Sequence, residues 1–393
     1  MFEKLEPFQR ALAEQMRTQI EGGTFSQVNL FGGPRYSLRM SFALEAARIL
    51  SCNDQGLEGC TCGSCRKFAT LSASNVLVVS QRDHKSMIET NLSAFMRQCN
   101  EFSKIQVIRS IRILLLQYNS FFTPANPTQN TAFDAAAAVN ELLISLSQEK
   151  DLGPKEAKKW ADDLRSALKS LYAASRKNTT ITIGQVRAVD EWVNQTSMGS
   201  SKRFIILEAM EQTNVSARNS LLKILEEPPE DTYFFLISEF PNRIMSTILS
   251  RVRRYAFPPL GKEAVGRYLE PYYLHDKEYE SLEQFYLEGG GMDLQKNRQI
   301  ASMIFSSVQS NRYISLGDLQ QLLSNVDDMD SYEYVLRSFL DQLSLELEEG
   351  NLATDLAYKL SNLVSSSFSE GQLYNQNGRL MLESLYYRLM EAR

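Results

Sequence analysis

The sequence predicts an α/β chain: a parallel sheet covered by helices on both faces, followed by a wholly helical end. Three observations carry that expectation. Residues 28–31, 76–79, 204–207, 233–237 and 253–257 are short runs rich in β-branched and aromatic residues. Near-continuous apolar character of this kind belongs to strands buried on both faces. Between the runs, apolar residues recur every three to four positions, the spacing of one helix face. After Pro258-Pro259 the strand-like runs stop and only helical spacing remains. A chain of 393 residues has room for two or three domains with ample core.

Composition narrows the function classes. Apolar residues make up 43% and charged residues 23%, the balance of an ordinary folded chain rather than a disordered one. Lys and Arg total 42 against 47 Asp and Glu, a net charge of −5. Any nucleic-acid contact must therefore come from a local patch. No apolar run reaches the roughly 18–20 residues of a membrane span. The opening residues 1–7 carry Glu3 and Glu6 and no apolar core, so the expected compartment is the cytoplasm. The only histidines, His84 and His275, lie far apart, which makes a histidine triad a poor expectation. Four of the five cysteines, Cys52, Cys60, Cys62 and Cys65, fall within fourteen residues, with Cys99 apart. In such a chain the cluster favours a metal over disulfides.

The α/β part extends to about residue 258. Its second and third strands are separated by a helical stretch at about 95–178, in which Ile105, Ile108, Ile111 and Leu115 share one face. A breaker at residues 123–127, an Ala-rich stretch at 132–146 and a helical stretch at 154–171 follow, together an insertion of two or three helices. Lys155, Lys158, Lys159, Arg165 and Lys169 read as its solvated face. Residues 262–288 form a small helical unit ending at Gly289-Gly290-Gly291. Beyond 295, leucines at helical spacing (Leu319, Leu322, Leu323 and Val326, then Leu352, Leu356, Leu360 and Leu363) predict an all-helical domain.

The first strand runs into Gly32-Gly33-Pro34-Arg35-Tyr36-Ser37-Leu38-Arg39-Met40 and then a helix. Strand, glycine turn and helix make the setting of a phosphate-binding loop. Such a loop needs glycines so that backbone N–H groups converge on phosphate, a lysine for the β/γ oxygens and a hydroxyl for Mg²⁺. Counted from Gly33, the other glycine positions hold Tyr36 and Leu38, the lysine position holds Arg39 and the hydroxyl position holds Met40. Methionine is a poor ligand for a hard cation. The third strand ends in Glu208-Ala209, where a hydrolysing site needs two adjacent acids, and Glu211 reads as a surface acid. An ATPase or nucleotide kinase with an atypical loop is the competing reading, and it must explain four missing groups.

Asn219-Ser-Leu-Leu-Lys-Ile-Leu-Glu-Glu-Pro-Pro229 follows, on a helix whose buried face is expected to carry Ala217, Leu221, Leu222 and Leu225, and then Thr247-Ile-Leu-Ser-Arg251. In order and spacing these segments resemble the clamp-loader branch of the AAA+ family, over roughly residues 5–94 and 180–258. The resemblance implies an α/β P-loop (AAA+-like) parallel-sheet domain at 1–258. A helical lid at 259–294 and an all-helical collar for oligomerisation at 295–393 would follow. It implies a subunit with no ATP in its own site, working in a hetero-oligomer with clamp-loader ATPase subunits, a clamp-opening subunit, the sliding clamp and primer–template DNA. In the family's Ser-Arg-Cys motif the arginine reaches ATP held by the neighbouring subunit. Here the motif reads Ser250-Arg251-Val252, so Arg251 takes that role; the plain alternative is that it caps a strand or pairs with an acid. The family's four-cysteine zinc module would be Cys52, Cys60, Cys62 and Cys65, with the Cys60–Cys62 gap one residue short. That shortening leaves a distorted or three-thiolate site open. Thr182-Ile-Gly-Gln-Val-Arg187 resembles an element that faces DNA phosphates, which makes Arg187 a candidate contact or an ordinary exposed arginine. A zinc-stapled interaction protein outside replication is a third reading.

Overall fold

The computed structural model describes residues 1–80, 84–118, 127–150, 152–175, 181–194, 202–274, 277–324, 326, 329–374 and 377–393. His275 and most of the breaker, residues 123–126, lie outside the described residues. Two compact units divide the chain, Met1–Gly290 and Gly291–Arg393.

In the first unit the elements run α1 (Arg10–Glu21), β1 (Val28–Gly32), α2 (Arg39–Ser51), α3 (Gly63–Ala69), β2 (Val76–Val79) and α4 (Lys85–Gln98). The helices α5 (Glu101–Leu115), α6 (Pro127–Gln148), α7 (Pro154–Ser175) and α8 (Ile183–Asn194) come next. Then follow β3 (Arg203–Glu208), α9 (Val215–Glu226), β4 (Thr232–Ser238), α10 (Ser246–Leu249), β5 (Arg253–Ala256), α11 (Lys262–Leu269) and α12 (Leu282–Gly289).

The five expected runs are the five strands. They form one parallel sheet in the order β2-β3-β4-β1-β5. Strand side chains alternate between faces, and the core divides accordingly. Phe31, Val76, Val78, Phe204, Ile206, Phe235 and Ile237 join α1, α2, α11 and α12 on one face. Leu30, Leu77, Val79, Ile205, Leu207, Phe234 and Leu236 join α8 and α9 on the other. Burying one such side chain contributes about 1.5–3 kcal/mol. One expectation is corrected at the edge. Among the described residues β5 has a single strand neighbour, and of its four residues only Tyr255 is buried. Exposed Arg253 and Arg254 suit an edge strand, where charge discourages pairing with another chain.

The insertion is α5, α6 and α7, whose apolar faces share a core with α4: Ile88, Leu92, Phe95, Val107, Ile111, Leu114, Val139, Leu143, Leu164 and Leu168. The expected face of α5 was off by a fraction of a turn. Val107, Ile111 and Leu114 are buried, Ile108 and Leu115 only partly, and Ile105 is exposed. Lys155, Lys158, Lys159 and Lys169 are exposed as expected; Arg165 instead pairs with Glu89 at 2.8 Å and ties α7 to α4. On α9 the buried face is Ala217, Leu221, Ile224 and Leu225, with Leu222 only partly covered.

The second unit holds α13 (Leu294–Ser310), α14 (Leu316–Leu323), α15 (Met329–Glu348), α16 (Thr354–Tyr374) and α17 (Gly378–Glu391). Its core, which includes Ile304, Leu319, Leu323, Tyr332, Leu360, Leu385 and Tyr386, draws on this unit alone. Among the described residues no helix is long and apolar enough to cross a membrane.

Candidate functional site

The glycine turn leaves the C-terminal end of β1. A Cβ on Gly32 would sit 2.4 Å from Pro241 Cγ, and one on Gly33 would sit 2.1 Å from the Phe257 carbonyl oxygen. Both glycines are thus required by close approach of neighbouring chain. Tyr36 and Leu38, at the positions where the loop pattern has glycine, have φ of 61° and 68°. The backbone keeps the left-handed geometry that glycine adopts freely, while carrying side chains at a cost of about 1–2 kcal/mol each. Those side chains turn into the protein. The Tyr36 ring stacks on Tyr286 of α12, centroids 5.2 Å apart and planes 24° apart; Leu38, Arg39 and Met40 are buried.

Polar groups beside the turn are tied to one another. Arg35 Nε donates to Glu239 Oε1 at 2.7 Å, and the Glu239 N–H donates to Glu211 Oε1 at 3.1 Å. Glu211 is not the plain surface acid expected. Among the described residues its Oε2 is buried without a hydrogen-bond partner, because the residue follows the end of β3 and turns inward beneath the β4 end. Glu208 is buried and accepts from the Ser80 hydroxyl at the end of β2. Arg35, Ser80, Glu239 and Tyr286 were missed by the sequence reading. No local spacing links residue 35 to 239 or 36 to 286.

The cysteines converge. Cys52 follows α2 and Cys62 caps α3, its sulfur accepting from the Cys65 N–H at 3.5 Å. Left-handed Gly56 and Gly59, at φ 66° and 76°, reverse the chain between them. All four Sγ atoms lie within 4.8 Å of one another, with Cys52–Cys60 at 3.6 Å and Cys52–Cys62 at 3.9 Å. Thiolates placed tetrahedrally about 2.3 Å from zinc stand about 3.8 Å apart, so the set fits the ion with all four sulfurs. The short Cys60–Cys62 gap does not exclude Cys60. Backbone N–H groups, first that of Cys65 and then that of Asn53, lower the Cys62 thiol to about 6. Burial pushes Cys65 up to about 12, against Arg48, which donates to its sulfur at 3.2 Å. Arg48 also holds Gly56 O at 2.8 Å and Glu45, pinning the loop to α2.

Arg251 lies just past α10 at the other edge of the sheet. Register sets Arg253 beside Asn29, near the start of β1, whereas the glycine turn departs at Gly33, about 13 Å further along. The guanidinium is held within the chain: Nη1 donates to Thr247 O at 2.5 Å and Ser250 Oγ at 3.2 Å, and Nη2 pairs with Glu226 at the end of α9. Ser250 is exposed and also donates to Thr247 O at 3.0 Å. Arg187 is exposed on α8, whose start is a capping box: Thr182 Oγ1 accepts from the Gln185 N–H, and Gln185 Oε1 accepts from the Thr182 N–H.

Comparison with known proteins gives the family. The family described as DNA polymerase III, delta subunit, matches residues 8–121 and 121–261. The delta′ subunit of DNA polymerase III from Bacillus subtilis is 37% identical over 95 residues, 24% of this chain and 29% of that protein. The delta′ subunit from Pseudomonas aeruginosa is 39% identical over 118 residues, 30% of this chain and 36% of that protein. The chain therefore matches about a third of each relative's length. A crystal structure of a DNA polymerase III gamma subunit-related protein from Thermotoga maritima aligns over 58% of this chain and 90% of its own, at 16% identity and a TM-score of 0.27. With the family match covering most of the sheet-bearing unit, the chain belongs to the DNA polymerase III delta-subunit family, and the relatives named above are delta′ subunits.

Proposed function

We propose that the chain is a subunit of a bacterial sliding-clamp loader that hydrolyses no ATP itself and completes the ATPase site of a neighbouring subunit. The observation that carries this reading is the glycine turn. Its backbone keeps the left-handed form at Tyr36 and Leu38, yet the side chains there, one stacked on Tyr286 and one buried, occupy the turn. The lysine and the Mg²⁺-binding hydroxyl are replaced by Arg39 and Met40.

Arg251 is the group lent. The strand that follows it pairs beside Asn29, at the end of β1 opposite its own glycine turn, which favours a phosphate held by another chain. A guanidinium stays charged at all relevant pH values, and its planar fork can bridge β- and γ-phosphate oxygens as negative charge develops there. Ser250 shares the motif and shapes the turn that presents the arginine. Cys52, Cys60, Cys62 and Cys65 hold a structural zinc; four protein ligands leave no open position for water, so the ion braces the loop rather than catalyses. Arg187, exposed on α8, contacts a phosphate of primer–template DNA.

The partners are the loader's ATPase subunits, its clamp-opening subunit, the sliding clamp and primed DNA, in a cytoplasmic hetero-oligomer. Residues 1–258 act as the degenerate P-loop domain, 259–294 as a lid and 295–393 as an oligomerisation collar. Reconstitution with the ATPase subunits, clamp and primed DNA tests the reading. Arg251→Ala lowers DNA-stimulated ATP turnover while assembly persists; unchanged turnover removes the lent arginine. Titration calorimetry of the isolated chain gives no saturable heat with ATP, and micromolar affinity would restore the competing ATPase reading.

A further inference from the structure

Resting on that reading of Arg251, we propose that Glu226 is a positioning residue that parks the arginine in cis and withholds it until a neighbour's triphosphate competes for it. Both terminal nitrogens of the guanidinium are engaged by the chain itself, Nη1 by Thr247 O and Ser250 Oγ and Nη2 by the Glu226 carboxylate. The arrangement is electrostatically reasoned. Glu226 is the last residue of α9, before Glu227 and Pro228-Pro229, where a negative charge meets the helix's own negative end and gains from a cation. Thr247 O belongs to the last turn of α10, whose free carbonyls likewise attract a cation. One guanidinium answers both helix ends.

The latch is weak enough to open. The Arg251 and Glu226 side chains are 32% and 49% exposed, and a pair so open to water shifts an equilibrium by no more than about fivefold. A triphosphate offers the same fork several anionic oxygens in place of one carboxylate. Arg251 therefore leaves Glu226 when a nucleotide-loaded neighbour presents its phosphates and returns when the site empties. The Glu226 carboxylate acts as a competitor whose removal strengthens the neighbour's hold on ATP without altering the transition state that Arg251 stabilises.

Phenylglyoxal, which modifies guanidinium groups, reads the parked state in the isolated full-length chain. With Glu226→Gln, modification of Arg251 followed by peptide mass spectrometry accelerates about twofold to fivefold, and Glu226→Asp stays close to wild type. In the reconstituted loader with clamp and primed DNA, Glu226→Gln lowers KM for ATP by a similar factor and keeps kcat within about twofold. An unchanged modification rate overturns the latch. A fall in kcat resembling that of Arg251→Ala also overturns it, since Glu226 would then orient the arginine rather than withhold it. The two ideas fail separately. Unchanged turnover with Arg251→Ala removes the lent arginine itself, whereas an effect of Arg251→Ala beside an inert Glu226→Gln removes only the latch.

Discussion

Single residues explain why the glycine turn keeps its glycines. Gly33 is held by Phe257, whose carbonyl oxygen a Cβ would meet at 2.1 Å, and Phe257 is itself buried among Phe31 and Phe42. Gly33→Ala is expected to cost about 1–3 kcal/mol of stability by overpacking, read as a lower urea midpoint with an unchanged slope. A wild-type midpoint would mean that phosphate binding, not packing, calls for the glycine. Tyr36 shows the limit of sequence reading at this scale. Its position flagged the turn as unsuited to phosphate, but its stacking partner Tyr286 stands 250 positions away. A ring pair of this kind is worth about 0.5–1.5 kcal/mol, enough to offset much of the backbone cost.

At the level of elements, the cysteine loop and α4 carry the most information. The loop was legible because closely spaced cysteines with an intact Cys62–Cys65 knuckle make a recognisable ligand set. The fold brings Cys60 to the other three through the reversals at Gly56 and Gly59. Metal analysis of protein purified under reducing conditions is expected to return about one zinc per chain. Chelation should then lower the melting temperature and expose the amides of residues 52–65 to exchange; zinc-free protein that is equally stable would reject the module. Affinity should weaken as pH falls, because the ligands bind as thiolates and protons compete. α4 serves two neighbours. Ile88, Leu92 and Phe95 enter the core of the insertion, while Thr90 donates to Tyr286 O at 3.0 Å and Asn91 accepts from the Tyr273 hydroxyl at 2.6 Å. The misread face of α5 has a related cause. Ile105, Ile108, Ile111 and Leu115 satisfy helical spacing, yet the helix also packs toward the sheet unit through Ile113, so more than one stripe is apolar.

The whole molecule consists of two units with separate cores, each described by its own residues. In the first unit burial raises the phenols of Tyr255, Tyr273 and Tyr286, that of Tyr255 to about 12 despite the nearby Arg253 cation. A folded-state value above the unfolded one favours the neutral phenol. The stability it contributes is complete below about pH 10 and is lost as pH rises through the folded value, between about 10 and 12 for Tyr255. The urea midpoint should hold up to about pH 9.5 and fall above 10, and Tyr255→Phe should blunt that fall; a flat profile through pH 12 would contradict the burial. By itself the amino-acid sequence determined the five strands, the helical character of the insertion and of the end of the chain, the cysteine set, and the motif that singles out Arg251. These follow from torsional preference, side-chain period and ligand chemistry, which act over a few residues. Tertiary structure alone decided that β5 is an edge, that Glu211 turns inward, that Tyr36 meets Tyr286 and that Arg251 meets Glu226. Such partners are chosen by strand register and helix packing across long stretches of chain, and no local pattern encodes them.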